Sequence, residues 1–424
     1  MPALTIRLLP KNLLIQKKWR TIPLTWRLAC LCLAALAMAP PCLAEENSAA
    51  KNLVEVVTIL AEDTQGEPLR FPSAVSSSRD DDEIYVVNGG RGGIVIYGAD
   101  FFPHLFLGAG RGIEAPQHVF FDKETGNILV CQGRTLKHPP KLSILNAALL
   151  PDREIVFADM PGAEDFSPIR GAIGKNGTIY LIGANSRGAL VLDKKGSFLR
   201  WLAPMDITQA SLTREESATQ EKAEKQPKEE EQKNEADNDP ELLGLPSELL
   251  PKSRAKISTQ ESSNTLRPVM LNDLAIGSDG HIFLLSEETS KVYVYTAGEK
   301  PLFTFGQKGG STGKMSRPRG IALDETKKCV YVVDYMRHTI LVFDLGGKYI
   351  FEFGGRGNGP LWFNFPNAIS VDRKGNLAVA DLFNNRVQIL KTEFSTSFPV
   401  FQDVKNFQPP GPKAIDPSPA EKSP

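Results

Sequence analysis

A block near the C-terminus occurs twice, and this repetition constrains the fold more than any other feature of the chain. RPRGIALDETKKCVYVVDYMRHTILVFD (Arg317–Asp344) aligns with FPNAISVDRKGNLAVADLFNNRVQIL (Phe365–Leu390), placing Pro318 on Pro366, Asp324 on Asp372 and Asp334 on Asp381. Extended backward, the template opens again at Pro72, Pro116, Pro168 and Leu271, so successive openings are 44, 52, 103, 47 and 48 residues apart. Units repeating at such a period bury their apolar faces against one another. The 424 residues, which by length alone would suggest two or three domains, therefore read as one body with an insertion in the long interval.

Every copy has the same grammar. A short inner strand (Ile321–Leu323, Ile369–Val371) is followed by a polar turn, often with Gly, as in Lys175-Asn176-Gly177 and Ser278-Asp279-Gly280. The second strands are Ile84–Val87, Ile128–Cys131, Ile179–Ile182, Ile282–Leu285, Val330–Val333 and Leu377–Ala380. Third strands begin at Ile94, Val292, Ile340 and Val387 in the four clearest copies. Outer strands follow at Leu105–Leu107, Ile155–Phe157, Leu199–Leu202, Leu302–Phe305 and Ile350–Phe353. The sixth copy runs out after its third strand, while an unassigned strand, Val54–Leu60, precedes the first copy. Pairing the two would close a ring and remove the open edges of the array. The expectation is an all-β, six-bladed propeller of four-stranded antiparallel blades, with a charged insertion between blades 3 and 4. Its body spans residues 45–404.

These residues resemble the NHL-repeat family, whose repeat runs roughly Pro-x-Gly-Ile-Ala-Val-Asp, Val-Tyr-Val-x-Asp, then Asn-x-Arg-Ile/Val. Pro318–Phe343 and Pro366–Leu390 match well, Ile282–Tyr295 moderately, and the three N-terminal copies mainly through strand and turn pattern. The resemblance implies the propeller fold. It says less about function, because propellers host unrelated activities.

The first 44 residues read as an export signal. Six basic residues from Arg7 to Arg27 precede an apolar run, Leu28–Ala39, and Cys42-Leu43-Ala44 offers a small-residue cleavage site before Glu45. The alternative is lipidation at Cys42, but Pro40-Pro41 stands where small residues are wanted. The apolar run is short for a ~30 Å hydrocarbon core, so no membrane span is expected and the mature chain is placed in the periplasm or outside the cell. Of the five cysteines only Cys131 and Cys329 follow the signal, both in strands of separate repeats, and two buried thiols rather than a disulfide are expected.

Within the insertion, set at residues 203–266, Arg214–Glu241 carries five basic and eleven acidic residues and almost no core-forming side chains. Such a composition cannot bury enough to offset chain entropy, and disorder is expected. Leu242, Leu243, Leu245, Leu249 and Leu250 then form an apolar island, either lying on the propeller's side or serving as a linear docking segment for a partner. The tail, 405–424, is Pro-rich and expected to be disordered.

In a propeller the chain enters all inner strands from one face, here called the front, which also carries the turns between second and third strands. Axial positions on that face are Ser73, Gln117, His118, Arg170, Asn272, Asp273, Arg319 and Asn367. An outer circle comprises Arg91, Arg134, Arg187, Lys291, Arg337, His338 and Arg386. With 49 Lys+Arg against 50 Asp+Glu, a generally basic nucleic-acid binder is excluded, yet this face reads as polar with a basic rim. One reading makes the rim a framework, its cations paired with Asp334 and Asp381; the other makes it a docking surface for an anionic partner. Among enzymes, amidating lyases of this propeller type hold zinc through several axial His, but here only His118 stands near the axis, with His138 and His338 elsewhere. Calcium-dependent hydrolases or lyases use axial carboxylates and amides, which Asn272, Asp273 and Asn367 could supply, opposed by Arg170 and Arg319. The favoured expectation is a monomeric, non-catalytic recognition scaffold for a protein or peptide, without cofactor. The calcium-dependent enzyme is the alternative.

Overall fold

The computed structural model describes residues 53–78, 82–207 and 266–394. Six four-stranded antiparallel sheets follow one another as blades of a propeller. Their inner strands are Pro72–Ser77, Pro116–Asp122, Pro168–Ile173, Asp273–Ile276, Pro318–Asp324 and Pro366–Val371, in blades 1 to 6. Five of the six start at proline, whose missing N–H is tolerated at the first residue of a strand.

Why the second and third strands read as unbroken apolar runs is clear from their burial. IYVVN (Ile84–Asn88), GIVIY (Gly93–Tyr97), IYLIG (Ile179–Gly183) and ALVL (Ala189–Leu192) are buried at every position, because each is covered by a neighbouring blade on both faces. Outer strands have one wet face and alternate instead, as in PHLFL (Pro103–Leu107). The core is accordingly a series of apolar layers between consecutive blades.

Val54–Leu60 pairs antiparallel with the third strand of blade 6, from Val54 opposite Thr392 to Leu60 opposite Val387. The first strand of the chain is thus the outer strand of the last blade, and the ring is closed. Two details differ from the repeat template. The outer strand of blade 2 runs Pro151–Val156, leaving Phe157 as a buried residue just beyond it. The insertion begins and ends on an ordered ribbon: Met205–Asp206 pairs with Arg267–Pro268, and Asp206 accepts hydrogen bonds from Lys291 Nζ (2.7 Å) and Tyr293 Oη (2.6 Å). The propeller therefore continues to Ile207 and resumes at Leu266. Residues 1–44, where an export signal is expected, together with Leu242–Leu250 and the tail, lie outside the described residues.

Cys131 and Cys329 are both buried and free. Burial pushes both thiols up, that of Cys329 to about 12. Among the described residues no helix is long and apolar enough to cross a membrane.

Candidate functional site

The inner strands do more than line the axis. In five blades a β-bulge follows the opening proline, between Pro72 and Ala74, Pro116 and His118, Pro168 and Arg170, Pro318 and Gly320, Pro366 and Ala368. A bulge leaves one residue out of the ladder and re-aims its side chain. Here that residue is Ser73, Gln117, Ile169, Arg319 or Asn367. The next position makes a layer across the axis: Ala74, His118, Arg170, Asp273, Gly320 and Ala368. Half of it is small, and a Cβ at Gly320 would come within 3.1 Å of the Ala368 backbone in the next blade, a tighter approach than ordinary contact.

The other half is a buried polar chain running from blade to blade. Gly171 N–H donates to His118 Nδ1 at 3.3 Å, and Ser76 Oγ lies 3.4 Å from His118 Nε2. Arg170 Nη1 reaches the carbonyls of Ile169 (2.9 Å) and Gln117 (3.5 Å), while its Nε stands 3.6 Å from Asp273 Oδ1. Asp273 accepts from Leu274 N–H at 2.8 Å and Ile321 N–H at 3.0 Å. Burial raises the Asp273 carboxyl to about 6, although Arg170 and the two amides pull it down. The His118 imidazole is held well below its usual value, by burial first and by Arg170 second, so it is neutral.

Behind this layer an axial cavity of about 540 Å³ opens toward the back face. Its floor includes His118 and Asp273, its wall Ser76, Ser77 and Ser370, and its mouth Lys123, Lys175 and Glu325. The pairing of Ser76 with His118 has the residue types of a nucleophile and its base but the opposite polarity. With Nδ1 accepting from Gly171, the proton sits on Nε2, and Ser76 Oγ donates instead to the Val119 carbonyl at 2.5 Å. A base must accept the nucleophile's proton, and this imidazole does not.

Calcium fits no better at the proposed ligands. Asn272 Oδ1 accepts from Glu287 N–H at 2.6 Å, Asn367 Nδ2 donates to the Ser73 carbonyl at 2.7 Å, and both Asp273 oxygens are taken by amides beside a guanidinium. The Asn272 oxygen is thus committed within blade 4 and the Asp273 oxygens to blades 4 and 5, while Asn367 ties blade 6 to blade 1 through its amide N–H. Among the described residues no group of three His, Cys, Asp or Glu could hold a metal ion.

On the front face most of the rim cations are individually engaged. Arg91 pairs with Asp63 (2.7 Å) and Glu67 (2.9 Å), Arg187 with Glu288 (3.2 Å), Lys291 with Asp206 (2.7 Å) and Arg386 with Asp381 (2.9 Å). Arg337 pairs with Glu352 rather than with Asp334, which accepts the backbone amides of Ser316, Arg317, Met336 and Arg337. The aspartate closing the second strand thus chiefly ties down the incoming link, and in blade 6 Asp381 does so through Asn364 N–H at 2.6 Å. His338 is buried rather than on the rim. It adopts a left-handed φ of 57°, and its Nδ1 accepts from Phe365 N–H at 2.9 Å. Burial and then Arg356 lower its pKa. Arg134 is exposed.

An aromatic arc on the front face escapes the repeat template. Phe71 packs edge-on against Phe383 (5.9 Å between centroids), Phe383 against Phe365 (5.3 Å), and Phe365 against Tyr335 (4.7 Å) and His338 (4.5 Å). Arg319 lies 4.9 Å over the Tyr335 ring, with its Nε 2.8 Å from Glu287 Oε2. Phe71 and Phe383 are 48% and 46% exposed, as is neighbouring Met336 at 46%. The signal available in the sequence was slight: Phe precedes the opening proline in blades 1 and 6, and Tyr335 and Phe383 occupy second-to-third-strand turns.

Comparison with known proteins bears on the fold. Residues 320–398 match the model of a family described as a 6-bladed beta-propeller, DUF5128. A structural-genomics protein of unknown function from Bacteroides thetaiotaomicron VPI-5482 has a similar structure, with a TM-score of 0.52 at 11% identity over 80% of this chain and 76% of that one. Weaker likenesses extend to an auxiliary nutrient binding protein from the same organism (TM-score 0.47, 11% identity, 81% and 76% covered). A streptogramin B lyase gives a TM-score of 0.46 at 10% identity, over 81% of this chain and 99% of that one. What the chain is similar to, in sequence and in structure, is a six-bladed β-propeller.

Proposed function

We propose that this chain is an exported, non-catalytic NHL-type propeller that recognises a protein or peptide on its front face, without a cofactor. The observation that carries the reading is the aromatic arc. Rings half exposed at the edge of a rigid ring offer large contact area at little entropic cost, which is what interface hot spots use. The inverted polarity of Ser76 and His118 supports a non-catalytic role. The alternative, a calcium-dependent hydrolase or lyase, would need Asn272, Asp273 and Asn367 released from the hydrogen bonds they make here.

Chemical cross-linking in the cell envelope tests the reading. Wild-type protein should capture a defined partner that Phe71→Asp and Phe383→Asp lose while keeping the wild-type circular dichroism spectrum. Arg134→Glu, away from the arc, should retain it. A partner held equally by all four proteins would move recognition elsewhere. Mass spectrometry of the mature protein should find Glu45 at its N-terminus.

A further inference from the structure

The arc has a charge border. Arg70 adjoins Phe71 in sequence, Arg317 accepts the Tyr335 N–H on its carbonyl at 3.0 Å, Arg319 covers Tyr335, and Arg356 lies close enough to His338 to depress its pKa. Against these four guanidiniums stands the carboxylate of Glu287, 3.4 Å from Arg317 Nε and 2.8 Å from Arg319 Nε. Asp334 and Asp381 are fully buried and taken up by backbone amides and Arg386. Arg70 and Arg356 form no ion pair among the described residues, and both are exposed. The surface is therefore apolar at its centre and positive at its border, although the chain as a whole carries a net charge of only −1.

We propose that the arc of Phe71, Phe383, Phe365 and Tyr335 docks an acidic polypeptide segment whose aliphatic side chains sit on the rings while its carboxylates meet the bordering arginines. This rests on the recognition reading above and names its partner class. The planar fork of arginine matches a carboxylate in two parallel hydrogen bonds, and an aromatic centre with a charged border is the usual layout of a protein interface. Stacked bases fit the arc less well. Phe71 and Phe365 meet Phe383 at 83° and 71°, so the rings occupy one another's edges and faces rather than forming a parallel platform.

The test uses the full mature chain and three fluorescein-labelled synthetic peptides of equal length, read by anisotropy. One carries leucines flanked by glutamates, one leucines flanked by lysines, and one serines flanked by glutamates. Only the first should bind, and more weakly as salt rises, since exposed charges are screened over ~8 Å at physiological ionic strength. Phe383→Asp should weaken it by at least about tenfold, as should the exposed-site change Arg356→Glu, which guards against a folding defect in the first variant. Equal binding of the lysine or serine peptide overturns the proposal, as does binding unmoved by either variant. Tighter binding of an oligothymidylate at the same residues makes the ligand nucleic acid. Self-association abolished by Phe383→Asp makes it a second copy. Peptide binding that emerges only once residues 208–265 are removed makes it the chain's own insertion. In the first two cases the acidic segment falls; in the third the separate partner falls, because the acidic, leucine-bearing insertion of this chain is then the segment on the arc. Loss of envelope capture in Phe383→Asp would leave the broader reading standing.

Discussion

Arg386 and Arg134 look equivalent in the repeat alignment and are not. Arg386 donates to Asp381 and to the carbonyls of Gly359 and Trp362, with Asp381 completely buried. Arg386→Met should cost about 3 kcal/mol of stability by stranding that carboxylate, whereas Arg134→Ala should stay within about 0.5 kcal/mol; denaturant titration of both checks this. Reversing Arg187, Lys291 and Arg386 to Glu together should likewise lower the melting temperature sharply. Asp273 gives a pH signature. Its folded pKa, about 6, lies above the ordinary carboxylate value of 3.8, so the fold favours its protonated form. The stability it contributes is complete below pH ~4 and is lost as pH rises through ~6, on the order of 3 kcal/mol. Asp273→Asn should flatten this part of the pH–stability curve. In Arg170→Met the carboxyl should titrate higher still, because a neighbouring cation has been removed; carbon NMR of the carboxyl reports it. A wild-type Asp273 titrating near 4 would show that water reaches the axial layer.

At the scale of the strand, closure rests on Val54–Leu60. Its ladder with Arg386–Thr392 is the join between the two ends of the described propeller, and Leu53 O extends it by accepting Glu393 N–H at 2.7 Å. Deleting Glu45–Leu60 should expose the edge of blade 6 and either abolish solubility or lower the melting temperature by many degrees. A deletion variant as stable as wild type would mean that Phe398–Val404 can take its place. This strand was legible beforehand because six copies offered only five outer strands. The bulges were not legible, since nothing in Pro-Gln-His or Pro-Ile-Arg marks a residue that will drop out of register.

For the whole molecule, the long interval between blades 3 and 4 is carried by the Met205–Asp206 and Arg267–Pro268 ribbon, so changes beyond it should matter little to the ring. Excising Thr213–Glu241 should leave the melting temperature nearly unchanged, because closure entropy varies only slowly with loop length. Addition of millimolar calcium should not raise it either, since binding stabilises only when ligands are free to bind. A clear calcium-induced rise would revive the enzyme alternative and direct attention to Asn272 and Asp273.

Repetition by itself determined the blade count, the four strands of each blade, the site of the insertion and the circular closure. Period and apolar run length are local properties, and stacking identical units leaves few other ways to bury them. What each axial and rim side chain does was decided by the tertiary structure. Arg91 meets Asp63 and Glu67 in the link that precedes the first repeat, and Arg187 meets Glu288 in the following repeat, contacts that no template aligns. His118 acquires its tautomer from the amide of Gly171 in the following blade. Phe71 and Phe383 stand at opposite ends of the repeat array, and each alone is an unremarkable loop aromatic. They become neighbours only because the ring closes, which brings blade 1 against blade 6.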